Sequence, residues 1–291
     1  MTAVSVSFFI RAPQFRYYSG FCQSTLGGIR APTHARVKEY SSLKRNKTLK
    51  TKEISRKRCV NGRYFPVLAK EKEETNTVTI QAVIWDFGGV LTSSPFEAFA
   101  RYEAETGLPK DFIRTVNATN PTDNAWAKFE RAEIGAETFD ALFRAEAIAL
   151  GHDVPGRVVL PLLSGDLRPA VIAALAHCKQ HFKVGCITNN VPIGHGAGMS
   201  VTAEKANAVS DVMALFDHVI ESSKLGIRKP DPRIYALMCE ALAVDPNACI
   251  YLDDLGINLK PAREMGMATI KVASGPQALS ELSALTGLVF A

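Results

Sequence analysis

Six polar residues of the chain have the types needed to bind a phosphate group beside a metal ion. They are three aspartates and three hydrogen-bond donors: Asp86, Asp253, Asp254, Thr188, Asn189 and Lys229. Carboxylates without His or Cys among them suit a hard cation such as Mg²⁺, which proteins hold through few carboxylates together with a substrate phosphate. Hydroxyl, amide and ammonium groups donate to phosphate oxygens. An aspartate near a metal can also attack phosphorus and form an aspartyl-phosphate.

These residues come after short apolar runs of the kind that form strands buried on both faces. The first run begins at Ala82 and is followed by Asp86 and then by Gly88 and Gly89. The other runs occupy residues 182–187, 218–221, 248–252 and 268–272, separated by helical patterns at residues 167–180, 203–215, 232–242 and 258–265. This alternation predicts an α/β fold with a doubly wound, Rossmann-like parallel sheet. Ligands of such sheets bind at the carboxyl ends of the strands, so the six residues are expected to meet in one crevice.

The segment between the first and second strands is too long for a simple crossover. Residues 96–164 carry helical periodicity without a clear strand-like run, which predicts a small helical cap domain inserted between core segments 76–95 and 165–291. Trp126 and Phe129, three residues apart, share a helical face and are expected to pack inside the cap, with substrate lining as the alternative. The glycine-rich loop at residues 191–199 is expected over the crevice, as a substrate-shaping element or a flexible connection.

The net charge of +5 comes from the first part of the 291-residue chain. No acidic residue precedes Glu39, whereas Arg and Lys recur through residues 1–58. A basic, Ser/Thr-rich segment without a long apolar stretch predicts a transit peptide over residues 1–75, with a disordered leader that is retained as the alternative. The uncharged first ten residues favour the plastid (chloroplast) stroma, and residues 16–19 resemble a mitochondrial processing site, which makes the mitochondrial matrix the alternative. Because the basic excess lies in this leader, neither nucleic acid nor a membrane is expected as a partner.

Together the strand ends resemble the four motifs of the haloacid dehalogenase (HAD) superfamily, from about residue 79 to the end of the chain. The insertion resembles the helical cap of one branch, and residues 227–235 (IRKPDPRIY) are close to that branch. The resemblance implies Asp86 as nucleophile and magnesium ligand, the Gly88 backbone carbonyl as a second ligand, Asp253 as a third, and Asp254 in support. It assigns the phosphoryl group to three residues, Thr188, Asn189 and Lys229.

Gly88 departs from the pattern of the family's phosphatases, which commonly carry Asp at this position as the general acid and base. The backbone carbonyl remains available for a metal, but the acid–base contribution, typically about 10²–10⁴ in rate, is lost. Three other residues are considered as substitute proton donors: Glu130, Asp123 and His195.

Three functions fit these residues. The first is a Mg²⁺-dependent hydrolase, a phosphatase acting on a small phosphorylated metabolite through an aspartyl-phosphate. The second is a dehalogenase-like hydrolase in which Asp86 attacks carbon; since that chemistry needs no metal, the pair Asp253-Asp254 argues against it. The third is a non-catalytic protein that binds a phospholigand, or a regulatory protein. The sequence indicates neither the substrate nor the oligomeric state.

Overall fold

The computed structural model describes residues 58–60, 63–65, 79–194, 198–200 and 202–290. The predicted transit peptide lies outside these residues except for a two-stranded antiparallel hairpin, β1 (Arg58–Val60) and β2 (Arg63–Phe65). Its plastid destination therefore stays a prediction. The other described residues fall in one compact unit, Glu73–Ala291.

The predicted parallel sheet is confirmed. Its five strands are β3 (Ala82–Trp85), β4 (Lys183–Thr188), β5 (His218–Glu221), β6 (Cys249–Asp253) and β7 (Ala268–Lys271). They run parallel in the order β5-β4-β3-β6-β7, so that β3 lies at the centre. Trp85 pairs with Cys186 on one side and with Leu252 on the other. Strands β4 and β5 are added on one side of β3, and β6 and β7 on the other, so the strand order reverses at β3. In α/β sheets, ligands bind at such a reversal point.

The segment inserted after β3 contains five α-helices and a 3₁₀ helix. They are α1 (Pro95–Thr106), α2 (Phe112–Ala118), α3 (Ala125–Glu130), α4 (Ala136–Ala149), α5 (Gly156–Val159) and the 3₁₀ helix Leu160–Leu163. Phe129 stacks on Phe139 at 4.7 Å between ring centroids, and Trp126 meets Phe99 and Phe139 edge-on. The two aromatic residues singled out in the sequence thus belong to the hydrophobic core of the inserted segment, as predicted.

Helices cover both faces of the sheet. They are α6 (Pro169–Cys178), α7 (Ala203–Met213), α8 (Ser222–Leu225), α9 (Pro232–Leu242), α10 (Gly256–Glu264) and α11 (Gly275–Thr286). The last of these is absent from the sequence prediction, although Ser274 and Gln277 form a capping box at its start. No helix within the described residues is long and apolar enough to cross a membrane.

The two connections between the inserted helices and the core run side by side. The Ser93 N–H donates to the Asp166 carbonyl at 2.7 Å, and the Asp166 N–H donates to the Ser93 hydroxyl at 2.9 Å. One residue closer to the core on each connection, Thr92 and Leu167 form an isolated antiparallel bridge. The inserted segment, called the cap below, therefore leaves and re-enters the core at a single point.

The loop after β4 packs under the cap. Val191 is buried in the hydrophobic cluster of the cap, with Ile193 and Met199 packed against it. The Val191 N–H also lies 3.3 Å from the Met199 sulfur. The described part of this loop is thus an apolar support for the cap.

Candidate active site

Three carboxylates meet at the carboxyl edge of the central strands. Asp86 follows β3, Asp253 ends the neighbouring β6, and Asp254 comes next in the chain. Each can present one oxygen such that these oxygens all lie within 4.8 Å of one another. Asp253 is fully buried and Asp86 is 7% exposed. Register explains the convergence, because Trp85 and Leu252 are paired and the next residue on each strand is an aspartate.

Lys229 bridges two of these carboxylates from a loop between α8 and α9. Its ammonium lies 2.7 Å from Asp86 Oδ1 and 2.8 Å from Asp253 Oδ2, and the residue is 1% exposed. The Phe87 N–H donates to the same oxygen of Asp86 at 2.6 Å. Among the described residues, no donor reaches Asp86 Oδ2, so this oxygen has its lone pairs free for a ligand.

The side-chain amide of Asn189 is hydrogen-bonded to the main chain of Lys229. Its Oδ1 accepts from the Lys229 N–H at 2.8 Å, and its Nδ2 donates to the Lys229 carbonyl at 3.0 Å. The amide therefore fixes the main chain that carries Lys229. Thr188, in contrast, is buried at the end of β4, and its hydroxyl makes no hydrogen bond to any residue described here.

Asp253 is held by more donors than its neighbour. Both of its oxygens accept from Asn258 Nδ2 at 3.1 Å, Tyr251 donates to Oδ2 at 2.5 Å, and the Leu255 N–H donates to Oδ1 at 2.8 Å. Asp254 accepts only from the Ser94 hydroxyl, at 3.3 Å, among the side chains of described residues. Asp254 is therefore the freer of the two carboxylates, and Asp253 is the one in contact with Lys229.

The charges in the cluster are not balanced by protein groups alone. Burial raises the pKa of the Asp86 carboxyl well above its usual range, even though Lys229 beside it acts in the opposite sense. Repulsion from Asp253 and Asp254 adds to this rise. Burial, followed by the charge of Asp253, raises the pKa of Asp254 to about 6. Mutual repulsion of buried carboxylates is relieved by a cation bound between them, so the site fits a hard metal ion.

The two glycines after Asp86 have different environments. Gly89 has φ +75°, and a Cβ there would collide with the Asp254 carboxylate. A Cβ at Gly88 would meet nothing within 4 Å, and no N–H or side-chain donor of a described residue bonds to the Gly88 carbonyl. That carbonyl is therefore available to a ligand.

We therefore expect position 88 to tolerate a side chain and position 89 not to tolerate one. Gly89→Ala is expected to lower the free energy of unfolding by at least about 1 kcal/mol, since alanine is strained at positive φ and also displaces Asp254. Gly88→Ala is the matched control and is expected to stay within about 0.5 kcal/mol of the parent. Urea unfolding of both variants measures this, and equal losses would contradict it.

The proton donors considered in the sequence are placed as follows. Glu130, at the end of α3, is 7% exposed and lies 2.5 Å from Arg228 Nε, so its carboxylate is occupied by an ion pair. Asp123 is exposed and pairs with Lys128 at 3.4 Å, on the surface of the cap. His195 lies outside the described residues. No carboxylate of the described residues takes the place that an aspartate at position 88 would occupy.

Several residues of the site escaped the sequence analysis. Tyr251 lies inside an apolar strand, where it looks like any core aromatic residue, and Ser94 looks like an ordinary N-cap of α1. Asn258 follows Asp253 by five residues in the first turn of α10, a spacing that returns its amide to the end of the strand. This last spacing is the signal by which it could have been found.

The profile of the haloacid dehalogenase-like hydrolases matches residues 80–266 of the chain. Bifunctional epoxide hydrolase 2 of Mus musculus is 30% identical over 229 residues, which cover 73% of this chain and 40% of that protein. Acyl-CoA dehydrogenase family member 10 of Mus musculus is 32% identical over 213 residues, 71% of this chain and 19% of that protein. The chain thus matches less than half the length of these two relatives. Phosphatase MT3486 of Mycobacterium tuberculosis is 30% identical over 206 residues, 65% of this chain and 86% of that protein.

Solved structures share the fold at lower identity. The HAD-hydrolase YfnB of Bacillus subtilis, in a structure bound to magnesium, has a TM-score of 0.50 and 16% identity, covering 72% of this chain and 100% of that one. A dehalogenase crystal structure also has a TM-score of 0.50, with 20% identity, covering 71% of this chain and 96% of that one.

Proposed function

The chain belongs to the haloacid dehalogenase-like hydrolases, and on this premise we propose that it is a Mg²⁺-dependent phosphatase of small phosphate monoesters. The observation that carries the proposal is the buried ammonium of Lys229 between Asp86 and Asp253, with Asp254 beside them. A phosphate dianion needs this combination, because the ammonium and a metal together offset its charge. The similarity to a phosphatase of Mycobacterium tuberculosis supports the same class of reaction.

Three groups would hold the metal ion: the carboxylates of Asp86 and Asp254 and the backbone carbonyl of Gly88. Asp253, with both oxygens occupied by donors, would support them from behind. When bound, Mg²⁺ supplies positive charge that polarises the phosphoryl group and relieves the repulsion between the carboxylates. The clustered carboxylates also speak against the dehalogenase-like alternative, because attack on carbon does not require a metal.

The other steps of the proposed hydrolysis are carried out by side chains of the protein and by water. Asp86 Oδ2, which no described donor occupies, attacks phosphorus while the bond from phosphorus to the ester oxygen breaks, and an aspartyl-phosphate forms. Lys229 and the Thr188 hydroxyl bind the phosphoryl oxygens as charge develops on them. The departing oxygen takes its proton from solvent, because position 88 has no acid. Water then attacks the aspartyl-phosphate, releases inorganic phosphate and restores the Asp86 carboxylate.

A second candidate function is binding of a phospholigand without turnover. The observation that favours it is Gly88, which leaves the site without the carboxylate that would protonate a leaving group. Such a protein would bind inorganic phosphate in the presence of Mg²⁺ and release none from any ester.

Removal of the metal tests the first proposal. Purified residues 76–291 are expected to release phosphate from p-nitrophenyl phosphate with Mg²⁺ and to lose this activity, by at least about 100-fold, in excess EDTA. Added Mg²⁺ should restore it. Phosphate release that EDTA leaves unchanged would contradict the proposed metal. If the protein released phosphate from none of the esters tried, the second candidate function would be favoured.

A further inference from the structure

A partly buried ion pair joins the cap to the loop that carries Lys229. Arg228, the residue before Lys229, lies with its Nε 2.5 Å from Glu130 Oε2, and its Nη1 donates to the Pro121 carbonyl at 2.9 Å. The side chains of Arg228 and Glu130 are 21% and 9% exposed. A carboxylate buried to this extent has a large effect on nearby charges when its partner is removed.

Glu130 also reaches the phosphate-binding end of β4. Its Oε2 lies 3.4 Å from Asn189 Nδ2, the amide that holds the Lys229 main chain, and Asn189 directly follows Thr188. Its other oxygen accepts from the Trp126 indole N–H at 3.0 Å. The carboxylate therefore accepts hydrogen bonds from two sides at the edge of the proposed phosphate site.

A fixed negative charge at this place opposes the binding of a phosphate dianion unless a cation compensates it. Arg228 is the cation in contact with Glu130, whereas the ammonium of Lys229 is already shared between Asp86 and Asp253. We propose that Arg228 is a positioning residue of the phosphate site that acts through Glu130: it neutralises this carboxylate beside Asn189 and so removes a negative charge that would oppose binding of the phosphate dianion. This inference rests on the phosphate site of the proposed function.

Charge compensation and simple cap docking predict different patterns of mutant behaviour. If Arg228 only docks the cap, then Arg228→Gln and Glu130→Gln break the same contact and do equal harm. With charge compensation, Arg228→Gln leaves a buried, uncompensated carboxylate and weakens phosphate binding by about 10- to 100-fold. Glu130→Gln removes the repelling charge and leaves Arg228 free, so it should bind phosphate more tightly than the parent. The double variant, with neither charge, should recover most of the affinity that Arg228→Gln loses.

The experiment is titration calorimetry of inorganic phosphate into the full 291-residue protein with saturating Mg²⁺, together with KM and kcat on p-nitrophenyl phosphate. The loss in Arg228→Gln is expected in the phosphate Kd and in KM, with kcat changed less. Arg228→Lys, which keeps the charge without the forked guanidinium, should bind phosphate more tightly than Arg228→Gln. The matched control is Arg144→Gln, which breaks an exposed Arg–carboxylate pair with Asp153 elsewhere in the cap and should leave the phosphate Kd unchanged.

Equal weakening by Glu130→Gln and Arg228→Gln, or a double variant no better than Arg228→Gln, would overturn the proposal. If Arg228→Gln is too unstable to purify, Glu130→Gln and the double variant decide the matter, since neither has an uncompensated buried carboxylate. A tenfold loss of phosphate affinity in either would then refute it. Phosphate binding can be measured without turnover. If the protein hydrolyses no ester but the variants show the predicted phosphate affinities, the proposed phosphatase activity is contradicted and the role of Arg228 is supported.

Discussion

Replacement of Asp86 by Asn is expected to lower phosphate release by at least about 10⁴-fold while the protein stays folded. The reason is that Asn cannot form the aspartyl-phosphate, and Asp86 Oδ2 is the candidate nucleophile of the site. The same substitution is expected to leave the Tm of the metal-free protein unchanged or raise it. Burial raises the pKa of Asp86 in the folded chain, so at neutral pH its ionised form favours the unfolded state, and a neutral side chain removes this cost.

Activity and thermal unfolding of the same preparation, in EDTA for the latter, measure both effects. Asp211→Asn serves as the control, because it makes the same chemical change at an exposed position of α7 and should alter neither quantity. Full activity in Asp86→Asn would exclude Asp86 as nucleophile. A lower Tm together with lost activity would point instead to a folding defect.

Gly88→Asp is expected to increase turnover of an alkyl phosphate by about 10²–10⁴-fold, because it adds a proton donor for a poor leaving group. The position accepts a side chain: nothing lies within 4 Å of a Cβ built there. An aryl phosphate should gain much less, since its leaving group departs without a proton.

Gly88→Asn is the control that separates acid catalysis from shape, because it has the size of Asp without the acidic proton. Steady-state kcat of both variants on glycerol 2-phosphate and p-nitrophenyl phosphate makes the comparison. If Asn accelerates the alkyl ester as much as Asp does, the gain is not due to acid catalysis. If neither variant accelerates it, the general acid lies elsewhere and position 88 does not limit the rate.

The sheet could be predicted from the sequence because each strand is a short apolar run and each catalytic candidate follows one of them. The strand at residues 218–221 and the helix at residues 232–242 have the predicted bounds. α11 escaped prediction because few of its residues are buried, among them Ala278 and Leu282, so its apolar periodicity is weak. Its capping box was the stronger signal.

The candidate site was predictable in its composition and less so in its roles. Adjacent aspartates at positions 253 and 254 are equivalent as sequence, and only the donors around them distinguish the positioning carboxylate from the freer one. The ion pair between Arg228 and Glu130 could not be predicted from the sequence either, because it joins two segments that are brought together only when the cap folds against the core. Local pattern predicts which side chains reach the sheet edge, and long-range packing decides what each of them does there.

The paired connections at Ser93 and Asp166 make the cap an exchangeable module. Since its chain enters and leaves within one hydrogen-bonded pair, the segment can be grafted, shortened or replaced while the ends of β3 and α6 keep their separation. Evolution can therefore alter which molecules are admitted to the crevice without altering the residues that act on them.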